Sequence, residues 1–444
     1  MNLFGFGSSP LTVAAASSRR GGKLLARLVG RGERVLDAAT VRQAEAIVAK
    51  VRDQGDRALL SYVRKLDGVP ARRASELALP VPDAEVERSK LPPGFAEALE
   101  RAIGAVERFH ERQVMAGYRL EEDGVELTER RQALDRVGIY VPGGRASYPS
   151  TVVMTVVPAR IAGVREIVVT TPPAAFRDSG PLRYALARLG VDEIWGMGGA
   201  HAVAALAHGT ESVRRVDKIV GPGNAWVTAA KRAVLGQVGI DGLAGPSEVV
   251  IVVDPDQGEN GEPAARTAAD LLAQAEHDPR AAAILLTPDR SFARAVAAEV
   301  DRQLGDLATA ETARQALSDY GAALVVEDFE EALTVTERLA PEHLQLVGSR
   351  AEALADRVRA AGAIFLGTAT PEVFGDYVAG PSHVLPTAGS ARFASALGVE
   401  DFIRRSHTVR FTPEAASRWA RPAATLAAAE GFPAHAASAR RRIR

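Results

Sequence analysis

Cysteine is absent from the chain. That excludes disulfides, thiolate zinc sites, iron–sulfur clusters and a cysteine nucleophile, and it fits a cytoplasmic enzyme. No apolar run approaches the roughly 18 residues that a membrane span needs. Residues 11–16 are weakly apolar, but no basic residue precedes them, so no signal peptide is expected. Net charge is also missing. Lys and Arg number 54 against 55 Asp and Glu, which leaves −1, so no global field favours nucleic acid or an anionic membrane. The basic tail Arg440-Arg-Arg-Ile-Arg444 is read as a solvated end. Histidine is scarce, with eight in 444 residues.

What is present is an apolar fraction of 47%, enough for a large core divided over two or more domains. From Val137 onward, short β-branched runs alternate with alanine-rich helical stretches. The pattern predicts strands over 137–141, 166–170, 193–196, 218–220, 248–253, 282–286, 322–326, 344–347 and 363–366. Helices are predicted between them, including 179–189, 224–235, 292–304 and 330–339. Such alternation argues for an α/β fold with parallel sheets covered by helices on both faces. Two sheets are expected, with the break near the Gly/Pro-rich run Asp241-Gly-Leu-Ala-Gly-Pro-Ser247. The residues before about 130 are read as mostly helical, those after Gly398 as helical and irregular, and 254–263 as a polar loop.

One helix carries an unusual polar stripe. In Ala269-Asp-Leu-Leu-Ala-Gln-Ala-Glu-His-Asp278, read as the last turns of a helix stopped by Pro279, Gln274 and His277 share a face and Asp270 lies one turn earlier. Buried polar groups need partners, so the stripe suggests a metal or a polar ligand. Three glycine-rich turns, Val141-Pro-Gly-Gly-Arg145, Gly196-Met-Gly-Gly-Ala-His201 and Gly221-Pro-Gly-Asn224, each follow a predicted strand. Their N–H groups could face an anion, although tight packing also selects glycine. None fits G-x-G-x-x-G/A.

Pro341-Glu-His-Leu-Gln-Leu346 places Glu342 and His343 at a turn, as a proton-transfer pair or as a solvated cap. The Gly/Pro-rich stretch 375–387 carries Asp376 and His383 and is read as a long loop, and Glu430 and His435 flank Gly-Phe-Pro-Ala. His110, in a charged helix, and His208, at a helix end, are read as structural or surface groups. The combined set of one Gln, several His and carboxylates suits zinc, and manganese or cobalt would tolerate it.

The runs Val-Gly-Ile-Tyr-Val-Pro-Gly-Gly (137–144), Gly-Pro-Gly-Asn (221–224), Gly-Pro-Ser-Glu (245–248), Ala-Gln-Ala-Glu-His-Asp (273–278), Pro-Glu-His-Leu (341–344), Gly-Asp-Tyr (375–377) and His-Val-Leu-Pro-Thr (383–387) occur in one order. In that order they resemble the signatures of the histidinol dehydrogenase family, from about Val35 to the end. The resemblance implies two incomplete Rossmann-like parallel-sheet domains with small helical N- and C-terminal segments, in an intertwined homodimer. It implies an N-terminal arm (1–32), a first α/β domain with the metal and catalytic residues (33–136 with 248–395), a second, NAD-binding domain (137–247) and a dimer-exchanging segment (396–444).

The activity implied is oxidation of L-histidinol to L-histidine through L-histidinal, by two hydride transfers to NAD, at the end of histidine biosynthesis. One Zn2+ per subunit would be held by Gln274, His277, Asp376 and His435, the last from the partner chain, and would position substrate rather than polarise the alcohol. His343 would be the base for the alcohol, and Glu342 would activate the water that hydrates the aldehyde. Ser247, His383 and Glu430 would contact substrate together with His343 and the metal ligands, and Tyr140, His201 and Asn224 would contact NAD. His201 stands where many members carry Gln, and a neutral imidazole can still donate one hydrogen bond and accept another. The rival readings are a paralogue oxidising another small alcohol such as a sulfonated diol, which Glu430 disfavours, a zinc hydrolase using Glu342, and a non-catalytic binding protein.

Overall fold

The computed structural model describes residues 9–32, 35–143, 147–255 and 262–443. Residues 1–8 of the expected arm, Gly144 and Arg145 of the first glycine turn, most of the polar loop after Asp254, and Arg444 lie outside the described residues.

Two six-stranded sheets carry the architecture. The first runs β1 (Thr12–Ala15), β12 (Gly321–Val325), β11 (Ala282–Thr287), β10 (Glu248–Val253), β13 (His343–Val347) and β14 (Ala363–Leu366), with every neighbour parallel. The second runs β2 (Ala78–Leu79), β7 (Glu193–Gly196), β6 (Glu166–Thr171), β5 (Arg136–Tyr140), β8 (Lys218–Val220) and β9 (Gly239–Ile240), parallel except for β2. Counted from the first strand of each αβ unit, both sheets have the order 3-2-1-4-5 with one added edge strand. That is the doubly wound order short of its sixth strand, so the incomplete Rossmann-like expectation holds. A third, antiparallel sheet joins β15 (Ile403–Phe411), β4 (Val125–Ala133) and β3 (Arg119–Glu122).

Each large sheet is covered on both faces. The inner strands are apolar and buried throughout, as in Glu248–Val253 and Ala282–Thr287, the pattern that two-sided burial demands. Two apolar clusters flank the first sheet and two flank the second. Side-chain caps start the connecting helices: Asn224 accepts from the amides of Trp226 and Val227, and Asp289 from those of Ser291 and Phe292.

The packing departs from the expected division in two places. Helices Ala38–Tyr62 and Phe95–His110 were grouped with the first domain. Their apolar faces, among them Val48, Val51 and Leu59 on one and Leu99, Ile103 and Val106 on the other, are instead buried in the clusters of the second sheet. The N-terminal arm is not a separate appendage, because Thr12–Ala15 adds a parallel edge strand beside β12. The C-terminal segment, expected to be helical and irregular, carries the nine-residue strand β15 ahead of its helices Pro413–Ala429 and Pro433–Arg440.

Candidate active site

The candidate residues come together at the amino ends of β10 and β13, neighbouring strands of the first sheet where its strand order reverses. Glu248 and His343 begin these strands, and Val249 pairs with His343 in register. Glu342 and His343 are buried at 6% and 5% exposure, so the solvated-cap reading of Pro341-Glu-His is overturned. Ala340, in the left-handed region at φ 46°, ends helix Phe329–Leu339 and turns the chain inward ahead of the pair.

His343 Nδ1 lies 3.2 Å from both Gln274 Oε1 and the Glu248 carbonyl oxygen. Its Nε2 is buried without a hydrogen-bond partner and sits 3.9 Å from Asp376 Oδ1. Asp376 Oδ2 in turn lies 3.8 Å from His277 Nε2. The Asp376 carbonyl accepts from His383 Nδ1 at 3.0 Å, and His383 Nε2 reaches Thr151 Oγ1 at 3.3 Å. Thr151 belongs to helix Pro149–Ala162 of the second sheet, so the 378–398 loop bridges the two halves of the molecule. Glu342 Oε2 accepts from the Glu248 amide at 3.1 Å, and the Ser247 hydroxyl also bonds that carboxyl.

Two expectations about local structure change here. The helix carrying the polar stripe is Glu262–Ala275, so His277 lies in the turn beyond it, half exposed, rather than on the helix face above Gln274. Asp376 is not on a loop but on the short helix Glu372–Tyr377. That helix supplies a residue the sequence reading missed. Glu372 is buried at 2%, its Oε2 has no hydrogen bond, and it lies 4.0 Å from His343 Nδ1. Its spacing of four from Asp376 was the available signal. Asp270 bonds Gln345 rather than the cluster.

The electrostatics follow from this burial. Desolvation lowers the proton affinity of His343 to a pKa of about 4, against the opposing charge of Asp376. Glu342 is pushed well above the ordinary carboxylate value by burial and then by the charge of Glu248. Glu372 is raised likewise, by burial first and then by Asp376, Asp270 and Glu342. Burial lifts Asp270 to about 6. An imidazole held neutral and a carboxyl of raised proton affinity form a pair suited to proton transfer.

Glu430 and His435 are not in this cluster. Both are exposed, one ending helix Pro413–Ala429 and the other on Pro433–Arg440, where His435 packs on Phe432. Among the described residues, no group of three or more His, Cys, Asp or Glu side chains is arranged to hold a metal. What this chain does offer is a carboxamide, an imidazole and a carboxylate on Gln274, His277 and Asp376, with Gln274 Nε2 buried and unpartnered. The N and O chemistry of that set fits zinc, as a partial shell.

The glycine turns sit at the carboxyl ends of β5, β7 and β8. Two of them flank the point where strand order reverses, the crevice where doubly wound sheets bind ligands. Part of their glycine content has a packing reason. A Cβ on Gly221, at φ 106°, would lie 2.2 Å from the Tyr140 carbonyl oxygen, and one on Gly223 would lie 2.4 Å from Val227. The turn amides also have protein acceptors: Gly198 donates to Asp67, Gly199 to the Tyr140 hydroxyl and Gly221 to Asp241. Burial raises the Tyr140 phenol to about 12. His201 is buried at 1%, and its Nε2 lies 2.8 Å from Asp67 Oδ2. His110 and His208 match their structural reading. The first is fully buried against Gln113, and the second is the last residue of helix Gly199–His208. No helix among the described residues is long and apolar enough to cross a membrane.

The histidinol dehydrogenase family model matches residues 32–443. A histidinol dehydrogenase of Synechococcus sp. is 46% identical over 410 residues, covering 91% of this chain and 93% of that protein. One from Brucella suis biovar 1 is 47% identical over 411 residues, covering 92% and 94%. The crystal structure of histidinol dehydrogenase from Elizabethkingia anophelis superposes with a TM-score of 0.85 at 29% identity, covering 98% of this chain and 99% of that one.

Proposed function

The chain belongs to the histidinol dehydrogenase family, a family of oxidoreductases, and from that premise we propose that it oxidises L-histidinol to L-histidine through L-histidinal in two NAD-dependent hydride transfers. The observation that carries the proposal is the convergence of Ser247, Gln274, His277, Glu342, His343, Asp376 and His383 from separate segments at the amino ends of β10 and β13.

His343 accepts the hydroxyl proton at Nε2 as a hydride leaves the alcohol carbon. Its Nδ1 is held by two oxygen atoms and so carries the ring proton, which leaves the Nε2 lone pair free. Glu342 then takes a proton from the water that adds to the aldehyde, and the hydrate loses the second hydride. The Ser247 hydroxyl and the Glu248 amide hold the Glu342 carboxylate for that step. Gln274, His277 and Asp376 would hold a zinc ion. When bound, zinc supplies a fixed positive charge that orients the imidazole and amino nitrogens of the substrate. NAD, the hydride acceptor, would lie in the crevice beside Tyr140 and Asn224. His201 would serve it through Asp67 and the Gly198 turn, since its own side chain is buried.

The enzyme acts as a homodimer, with Glu430 and His435 of the partner subunit completing each site. Exposed apolar side chains on the antiparallel sheet and C-terminal helices support this, among them Val409, Trp419, Leu426 and Phe432. So does the exposure of Glu430 and His435 beside them. The test is turnover of L-histidinol by zinc-loaded protein, followed as NADH absorbance. Turnover of a different alcohol with none on histidinol would overturn the proposal.

A further inference from the structure

We infer that Arg31 is a positioning residue for the second oxidation, acting through Glu248 on the Glu342 carboxylate. The inference rests on the proposed role of Glu342 as the base for water.

Arg31 follows helix Arg19–Val29, and its side chain is 6% exposed. Nη1 donates to Glu248 Oε2 at 2.7 Å, and Nη2 donates to the carbonyls of Arg280 at 2.9 Å and Pro246 at 3.2 Å. The guanidinium also lies over the Tyr320 ring, 5.3 Å from its centre. A guanidinium so fully engaged is fixed in place. It pins the Gly-Pro-Ser-Glu turn that leads into β10. The other Glu248 oxygen, Oε1, accepts from the Ala388 amide at 2.9 Å, so the same carboxylate also anchors the loop that carries His383.

The hydrogen bonds that favour the ionised form of Glu342 come from the turn that Arg31 holds, namely from the Glu248 amide and the Ser247 hydroxyl. Against ionisation stand burial and the negative charges of Glu248 and Asp376, with Glu372 close by. His343 Nδ1, which carries the ring proton, lies 3.9 Å away. Burial raises the proton affinity of Glu248 itself, and Arg31 is the largest influence against that rise, so the guanidinium both keeps this nearest carboxylate ionised and offsets its charge. A buried ion pair is weak evidence for stability, because apolar groups of similar shape often replace it without loss. Here the pair does something that an apolar replacement of the arginine alone cannot do. It lets Glu248 contribute its amide to Glu342 without imposing an uncompensated charge beside it.

The test measures the pH dependence of kcat for L-histidinal with NAD, on zinc-loaded wild type, Arg31→Lys, Arg31→Gln and the double variant Arg31→Gln/Glu248→Gln. Arg31→Gln should move the acid limb to higher pH by about one unit, which is about tenfold in rate on that limb, with KM for NAD unchanged. Arg31→Lys should move it less. The double variant, which removes both charges and keeps the amide, should return the limb to the wild-type position. A uniform fall in kcat at every pH, or a double variant shifted like the single one, would overturn the inference. If Arg31→Gln does not fold, Arg31→Lys decides the matter: an acid limb left at the wild-type position in that variant contradicts the inference. The two levels of the account fail separately. Loss of the inference alone means an active wild type, an inactive Glu342→Gln and an unshifted Arg31→Gln. Unchanged histidinal oxidation in Glu342→Gln removes the role of Glu342 itself.

Discussion

Gln274 Oε1 and His343 Nδ1 lie 3.2 Å apart, joining the end of helix Glu262–Ala275 to the first residue of β13. The contact orients the imidazole and fixes which nitrogen carries the proton. It also ties the proposed substrate clamp to the proposed base, so the two motifs work as one assembly.

Replacing His343 by Ala should lower histidinol oxidation by roughly 10²–10⁴-fold, the usual contribution of a positioned general base. Zinc content, measured by metal analysis on the folded variant, should match wild type. Loss of the metal together with activity would make His343 a ligand instead.

Glu342→Gln should block histidinal oxidation while histidinol still yields a first hydride. In wild type the base must be ionised to work, and its proton affinity is raised by burial and by Glu248. The histidinal rate should therefore fall as pH drops through a value above the ordinary 4.5. An acid limb at the ordinary carboxylate position would contradict this.

Glu372→Gln tests the unpartnered carboxyl behind His343. Folding raises its proton affinity, so the folded state keeps a proton that the unfolded chain releases above its ordinary value of 4.5. That stability is fully present below 4.5 and is lost as pH rises through the folded value. Metal-free Glu372→Gln should therefore be more stable than wild type at pH 8 by roughly 1–3 kcal/mol, with little difference at pH 4. Urea denaturation at the two pH values measures it, and equal midpoints at pH 8 would refute it.

Mixing His343→Ala and His435→Ala subunits, each inactive alone, should restore activity in the heterodimer, because one site then has an intact His343 and receives His435 of the partner subunit. Confirmed heterodimers without activity would count against shared sites.

The two large sheets were legible in the sequence because their strands are short apolar runs, and the inner ones, such as Glu166–Thr171 and Glu248–Val253, are β-branched and buried on both faces. All nine predicted strands occur, and Glu193–Gly196, Lys218–Val220, Glu248–Val253 and Ala363–Leu366 match to the residue. The strands of the antiparallel sheet were missed because they lack that signal. Arg-Leu-Glu-Glu, Val-Glu-Leu-Thr-Glu-Arg-Arg-Gln-Ala and Ile-Arg-Arg-Ser-His-Thr-Val-Arg-Phe are charged and exposed or only partly buried, so no apolar run marks them. The edge strands Thr12–Ala15, Ala78–Leu79 and Gly239–Ile240 are too short to show a period. The helices at 38–62 and 95–110 were readable as helices, but amphipathicity does not say which of two apolar sheets a face will meet. In the site, motifs exposed the residues with distinctive chemistry. Arg31 sits in a run of charged and glycine residues that reads as solvated, and its burial exists only because Glu248, Arg280 and Tyr320 surround it in space. His201 reads from the motif as an NAD contact, and nothing in the sequence marks its partner Asp67, 134 residues away.

The central claim is that one active site carries a primary alcohol through two oxidations. The direct measurement is the ratio of NADH formed to L-histidine formed when zinc-loaded protein consumes L-histidinol with excess NAD. The account predicts two NADH for each histidine, with no free histidinal accumulating. A single NADH per histidinol, with the aldehyde as the end product, would contradict it.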